Sequence, residues 1–522
     1  MANILWIDDE IDLLTPHCLF LAQKGHNVFK ATDGPSAIEM LQNNEIPSLD
    51  IVFLDEQMPG LSGLDVLLKI KQIRPAVPVV MVTKSEEEDI MNQAIGAQIA
   101  DYLIKPLQPS QLLLAVKKFT ESKQLVFQTV QSQYQTQFQD ISFQISQCNS
   151  FSEWAEIYKR LIFWEIQLAE GTSFSADMSQ ILLSQKQDAT AGFVKFIRKN
   201  YESWIAKPSI APLMSHRILP DRILPHLDAG EKIVFIVIDN FRLDQWETIR
   251  PLLTQEYDIQ TELYCSILPT ATMYARNSLF SGLLPSQISE MYPAYWPEEN
   301  SSESSQNQYE RELLSTFFQR YRKNYVHAYY KANDATSGQH IVDIFNRYRH
   351  NDLVALVYNF VDQLSHARSE VKAIKELSAD EAAYRSITKS WFQHDPLSQM
   401  LSLLSKTKDL TIMITTDHGS IRVHNPQKIL AGADVNTNLR YKTGRNLNCN
   451  TKQVLTTSDS KLYGLPKTRL IGSYAFAEGE DFFVYNNNTS HYIDLYSDTF
   501  QHGGVSMEEM IIPLVTLKPK NE

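Results

Sequence analysis

The sequence predicts an α/β protein in three parts: a (βα)5 module over residues 1–120, a helical bundle over 121–207 and a second α/β module over 208–522. Three observations carry this reading. Short apolar runs alternate with helical spacing through the first part, and strand alternation and glycine turns then fade. After a proline-rich connector, long apolar runs return, several ending on aspartate or histidine. At 522 residues the chain is too long for one ordinary core.

In the first module NILWI, HNVFKA, DIVFL, PVVMVT and DYLIK read as strands, separated by helical segments such as PSAIEMLQNN and GLDVLLKIKQI. Such repetition makes a parallel sheet that binds ligands at the carboxyl ends of its strands. Polar residues sit at those ends: Asp8 and Asp9, Asp55, Thr83, and Lys105 before Pro106. Three converging carboxylates repel unless a hard cation joins them, and Mg²⁺ prefers such oxygen ligands. Asp55 can then attack a phosphoryl donor, with Lys105 and Thr83 contacting the new phosphate oxygens. With LDEQMPG and LIKP intact, the first 120 residues resemble the response-regulator receiver family, which implies a CheY-like fold. The resemblance implies Asp55 as phosphoacceptor, Asp8, Asp9 and the Gln57 carbonyl as further Mg²⁺ ligands, and Tyr102 reorienting with Thr83. A sensor histidine kinase is the implied partner.

In the middle part, Leu125, Tyr134, Phe138, Ile141 and Ile145, then Trp154, Ile157, Leu161 and Ile162, recur at mostly helical intervals. An aromatic stripe of this kind is a bundle core rather than a cofactor site. The bundle can also carry a rotation or dimerisation signal onward. Pro208, Pro212, Pro220 and Pro225 punctuate the connector that follows.

The second module opens with KIVFIVID, a buried strand ending at Asp239; VHAYY, LVALVYNF, LTIMITT and EEMIIPLVTL are further strands. LVALVYNF leads into VDQLSH, where Asp362 and His366 share one face if a helix begins there. Asp417 and His418 follow LTIMITT and need a backbone turn to act together, which Gly419 permits. His502 lies in QHGG. Nitrogen and carboxylate donors without cysteine suit zinc, with manganese also chemically possible. The partition is Asp362, His366 and His502 at one ion, and Asp239, Asp417 and His418 at the other; such ions lie about 3.5–4 Å apart and clamp attacking and leaving oxygens. Metal coordination would activate a threonine hydroxyl, and Thr270 and Thr272 both qualify. Arg276 is a candidate substrate-phosphate contact.

PTAT followed by SLFSGLLP resembles the nucleophile segment of the alkaline phosphatase superfamily, which implies Thr272 as the attacking residue. IDNFRLD, TTDHG and HGGVSMEEMIIPL resemble its PglZ branch. Receiver, helical middle and PglZ-like module, in that order, resemble the PorX-type response regulators associated with type IX secretion in Bacteroidetes. This implies a zinc-dependent phosphodiesterase under receiver control and a sigma factor as a further partner.

A formal charge of −13 and a pI near 5.5 argue against a protein that coats DNA by bulk electrostatics. Cys18, Cys148, Cys265 and Cys449 are widely spaced and fit neither a disulfide framework nor a thiolate zinc knot. No apolar run precedes the first strand or approaches bilayer-spanning length, so a cytoplasmic protein without membrane insertion is expected. Residues 422–469 hold nine basic and two acidic side chains, a local +7, and predict a long basic loop that steers a polyanion. The acidic, serine-rich segment 297–310 predicts a mobile surface insertion.

The expected substrate is a nucleotide or small oligonucleotide phosphodiester, cyclic or linear, and a phosphorylation-dependent homodimer is the expected assembly. The rival reading is a non-catalytic, metal-stabilised domain that docks a sigma factor or secretion component. Sequence-specific DNA binding is not expected, since no helix-turn-helix signature follows the first module.

Overall fold

The computed structural model describes residues 2–43, 45–46, 48–75, 77–84, 99–120, 122–169, 176–297, 303–370, 380–407, 409–429, 436–444, 447, 449, 453–467, 473–485 and 489–520. Two compact units are present, one of residues 1–135 with 170–174 and one of residues 136–169 with 175–522. No helix among the described residues is long and apolar enough to cross a membrane.

The first unit is built on five parallel strands, β1 (Asn3–Ile7), β2 (Asn27–Ala31), β3 (Ile51–Asp55), β4 (Val79–Thr83) and β5 (Asp101–Ile104), in the order β2-β1-β3-β4-β5. β3 and β4 are apolar up to their last residues, Asp55 and Thr83, and β1 is apolar from Ile4 to Ile7, because helices cover both faces of the sheet. Strand order reverses between β1 and β3, which opens a crevice beyond their ends.

The second unit carries strands β6 (Lys232–Ile238), β7 (Tyr257–Cys265), β8 (His327–Ala332), β9 (Leu353–Tyr358) and β10 (Leu410–Thr415). Small sheets follow, made by β11 (Ile421–Arg422), β12 (Asn425–Ile429), β13 (Tyr441–Gly444), β14 (Val454–Thr457), β15 (Ser473–Ala477), β16 (Asp481–Tyr485) and β17 (Phe500–Gln501), before the final strand β18 (Ile511–Pro519). The main sheet runs β7-β18-β10-β6-β9-β8. β10, β6, β9 and β8 are mutually parallel; β18 is antiparallel to β10, and β7 is antiparallel to β18. The start of β18 therefore lies at the same edge as the ends of the other five strands. β7 is not among the strands that apolar runs predict. It is the sheet's edge, and Asp258, Gln260 and Glu262 alternate outward along it.

The basic stretch corrects an expectation. Its described residues include Arg422 of β11, the strands β12, β13 and β14 and a helical turn at Ser460–Tyr463, and Arg440 and Lys442 are fully buried rather than solvated. Arg440 is paired with Glu509, and the Lys442 ammonium donates to the Asn436 carbonyl. Arg445, Lys452 and Arg469 lie outside the described residues.

The helices Phe151–Ala169 and Ala176–Ala206 pack through Trp154 against Phe193 and Phe196 and belong to the same compact unit as the second sheet. Their polar side engages that module through buried charges. Glu165 accepts from Lys186 at 2.6 Å and from Arg385; Arg385 reaches Asp244 at 3.3 Å, and Arg242 bonds both Asp244 and Glu381. Further along, the Tyr201 hydroxyl accepts the Leu268 N–H, and Arg198 pairs with Glu478.

Burial alone would raise the Glu165 carboxyl, but Lys186 and Arg385 outweigh it and hold it at about 2. A depressed carboxyl stabilises the fold above its ordinary value of 4.5, and that contribution is lost as pH falls toward 2. Glu165→Gln removes the main counter-charge of Lys186 and Arg385, leaving them only the longer contacts to Glu508 and Asp244, and is expected to cost about 3–5 kcal/mol at pH 7. Urea denaturation will measure the loss, and an acid titration of the variant should show a shallower fall through that window than the parent.

Candidate active site

Five backbone segments meet at one edge of the second sheet. Asp239 lies one residue beyond β6, and Asp417 and His418 lie just beyond β10. The helix Phe360–Glu370 follows β9 and carries Asp362 and His366 one turn apart. Thr272 begins the helix Thr272–Ser281 that follows β7, and His502 precedes β18. Two glycines allow this convergence. A Cβ on Gly419 would lie 2.1 Å from the Glu508 carbonyl oxygen, and Gly503 adopts a φ of +122°.

The candidate ligands fall into two groups. Asp362, His366 and His502 offer donor atoms within 4.8 Å of one another, and so do Asp239, Asp417 and His418. The groups abut: the His418 and His502 rings stack with centroids 4.2 Å apart. The Thr272 hydroxyl lies 3.1 Å from His418 Nε2 and 3.5 Å from Asp239 Oδ1. Thr270 instead bonds the Gly504 carbonyl and accepts the Gly503 N–H, a loop-holding position.

Both buried imidazoles have one nitrogen committed to the main chain. His418 Nδ1 faces the Gly419 carbonyl and His502 Nδ1 faces the Thr270 carbonyl, each at 3.1 Å. A carbonyl only accepts, so each Nδ1 carries the proton and each Nε2 presents a lone pair. Burial keeps both rings neutral, pushing His502 down to about 4 and lowering His418. The carboxylates are uneasy as anions. Burial pushes Asp239 up to about 7, with Arg276 opposing and Asp417 and Asp362 adding to the rise; burial also raises Asp417. For Asp362 burial is outweighed by His366, whose hydrogen bond and charge hold it well below the carboxylate range. Asp417 Oδ2 and Asn240 Oδ1 are buried without a hydrogen-bond donor. Neutral nitrogen donors, crowded carboxylates and orphaned oxygens are the environment that a divalent cation fits.

In the first unit, Asp8, Asp9 and Asp55 also bring oxygens within 4.8 Å of one another. Lys105 Nζ lies 2.9 Å from Asp8 and 3.2 Å from Asp55. Burial and the Asp8 charge raise the Asp55 carboxyl against the pull of Lys105. The Thr83 hydroxyl donates to Glu56, Tyr102 is partly exposed on β5, and Gln57 is exposed two residues beyond Asp55. This acidic pocket likewise suits a hard divalent ion.

A family model described as the response regulator receiver domain matches residues 4–117, and one described as the PorX response regulator linker domain matches residues 124–205. A third, described as the BREX system PglZ alkaline phosphatase-like domain, matches residues 218–517, more than half of the chain. The chain belongs to the PglZ alkaline-phosphatase-like family. Its receiver domain lies ahead of the PglZ module, with the linker domain between them. Over 124 residues it is 37% identical to the alginate biosynthesis transcriptional regulatory protein AlgB of Pseudomonas aeruginosa, covering 24% of this chain and 27% of that protein. It is 32% identical over 119 residues to the sensory transduction protein RegX3 of Mycobacterium tuberculosis, covering 22% of this chain and 50% of that protein. The chain thus spans half or less of these relatives' length. A receiver domain structure from Clostridium thermocellum is 32% identical, with a TM-score of 0.23, and covers 24% of this chain and 98% of that one.

Around the PglZ triads stand residues that motif reading overlooks. Arg276, expected to contact substrate phosphate, is buried, and its guanidinium bonds Glu310 and Asp239 Oδ2 at 2.5 Å each. Glu310 is fully buried and also accepts from the Tyr329 hydroxyl. Asn307 donates to the Thr272 carbonyl at 3.1 Å and to Asn277. Both belong to the segment expected to be a mobile insertion. Residues 298–302 lie outside the described residues, but Glu303–Gln306 is helical, and Asn307 and Glu310 support the threonine helix from beneath. Across the site, Glu509 accepts from the Gly504 N–H, Ser506 and Arg440. It thereby steadies the loop that carries His502.

Glu310→Ala removes one of the two carboxylates on the buried Arg276 guanidinium and the acceptor of the Tyr329 hydroxyl, and is expected to destabilise the PglZ module by about 3–5 kcal/mol, read from the shift of its urea unfolding midpoint. Glu312→Ala, on the same helix, is the control.

Proposed function

We propose that this PglZ protein is a response regulator in which phosphorylation of receiver Asp55 controls a zinc-dependent phosphodiesterase. The observation that carries the reading is a threonine hydroxyl at the head of a buried helix, within 3.5 Å of a carboxylate and an imidazole that belong to one of two abutting triads.

Asp362, His366 and His502 would hold one ion, and Asp239, Asp417 and His418 the other; imidazole and carboxylate donors favour zinc. Such ions would promote ionisation of the Thr272 hydroxyl and neutralise charge on the leaving oxygen. Thr272 Oγ forms a bond to phosphorus as the phosphorus bond to the leaving alcohol breaks. Water then hydrolyses the resulting threonine phosphodiester, releasing a phosphomonoester and restoring the hydroxyl. The Asn307 contact to the Thr272 carbonyl holds the helix start, and Arg276 turns Asp239 so that Oδ1 faces the threonine.

The substrate class is a nucleotide or small oligonucleotide phosphodiester, linear or cyclic. Electrostatic steering draws less on the basic stretch than its formal charge implies, since Arg440 and Lys442 are buried. In the receiver, Asp8, Asp9, Asp55 and the Gln57 carbonyl would hold Mg²⁺, with Lys105 and Thr83 at the phosphoryl oxygens and Tyr102 responding. The regulator would act in the cytoplasm on type IX secretion, as a homodimer formed on phosphorylation.

Zinc analysis combined with a phosphoester panel tests this, run with and without a beryllofluoride mimic of the acyl phosphate. Two equivalents of zinc, chelator-sensitive diester hydrolysis and a loss of roughly 10³-fold or more in Thr272→Ala are expected. Metal uptake without turnover on any ester would favour a docking module instead. Asp55→Ala should abolish any response of oligomeric state or rate to beryllofluoride.

A further inference from the structure

Asn240 stands between the two triads. It follows Asp239 directly, is fully buried, and adopts a φ of 60°, a left-handed conformation that a non-glycine residue keeps only when its surroundings hold it. Its backbone N–H donates to Asp417 Oδ1 at 3.3 Å, in one triad. Its side-chain Nδ2 donates to Asp362 Oδ1 at 3.2 Å, in the other, and to Ser365 Oγ at the same distance. The amide orientation follows from chemistry, since an ionised carboxylate accepts only and the NH₂ must face Asp362. Oδ1 is then the atom left buried without a donor.

We propose that Asn240 is a positioning residue that braces the triads against each other, the main chain orienting Asp417 and the amide orienting Asp362. The inference rests on the two-ion reading above. With a left-handed backbone, the amide N–H and side chain of a single residue can point at ligands that come from two different strand ends. Without the side chain, Asp362 keeps only its histidine neighbours among the described residues, and its carboxylate can rotate away from the geometry an ion requires. Outer partners of this kind set metal affinity.

Asn240→Gly separates the two functions of the residue, because glycine keeps the N–H and tolerates positive φ while losing the amide. Zinc titration of the full chain against a chromophoric chelator resolves the two binding steps. His366→Ala, which removes a ligand, identifies the step that belongs to the Asp362 triad. Asn240→Gly is expected to weaken that step by roughly 10–100-fold and to leave the other within about threefold. Unchanged steps, or a loss confined to the other step, would overturn the brace while leaving the two-ion reading intact. Wild-type protein that binds no zinc would overturn both. Thermal unfolding of the metal-free variants reports folding; if Asn240→Gly does not fold, Ser365→Ala must weaken the same step severalfold, and an unaltered step would overturn the proposal.

Discussion

Asp239, Asp362 and Asp417 are crowded at one end of a sheet that otherwise excludes water, and the rest of the PglZ module is arranged around that constraint. Burial resists charge on each carboxylate, and repulsion between them adds to it at Asp239 and Asp417, while His366 outweighs it at Asp362. The module opposes this with a buried arginine on Asp239, an asparagine joining Asp417 to Asp362, and imidazoles whose far nitrogens are fixed by carbonyls. Each support needs support of its own. Arg276 requires Glu310, and Glu310 requires Tyr329. The polar order reaches well beyond the atoms that would touch an ion.

Sheet topology explains why so distant a set of residues can meet. Chain direction reverses at β18, so the segment that enters this strand arrives where β6, β9 and β10 leave. His502 therefore joins the strand-end residues without any long excursion. The small sheets between β10 and β18 fill the intervening sequence, and Arg440, just ahead of β13, reaches Glu509 and so holds the same loop. In the receiver the same logic operates at smaller scale, with Asp8 just beyond β1 and Asp55 at the end of β3, where strand order reverses.

Much of this was legible in the sequence because strand ends advertise themselves. A run such as KIVFIVI cannot remain apolar past the sheet, so Asp239 stands out, as do Asp417 and His418 after LTIMITT. The i, i+4 spacing of Asp362 and His366 is equally visible once a helix follows β9. What stayed hidden is the supporting layer. Glu310 and Asn307 sit in a polar, serine-rich segment whose composition signals solvent, yet single side chains there reach a buried arginine and a helix start. Composition averages over a segment, whereas burial is decided residue by residue. Arg440 and Lys442 mislead for the same reason, since a charge count cannot distinguish a solvated lysine from one enclosed between strands. β7 escapes because an edge strand exposes its polar face and has only short apolar stretches.

The placement of Glu165, Lys186 and Tyr201 has a practical consequence for dissecting the chain. These residues lie in the helices of the middle region, but their partners Arg385, Glu508 and Leu268 belong to the PglZ fold. A fragment cut at the proline-rich connector would strip Arg385 of its main counter-charge and uncover the main-chain donor of Leu268. The smallest expressible piece that keeps its interior charges matched starts within the helical region, so the natural seam of this molecule falls upstream of the point where its prolines invite a cut.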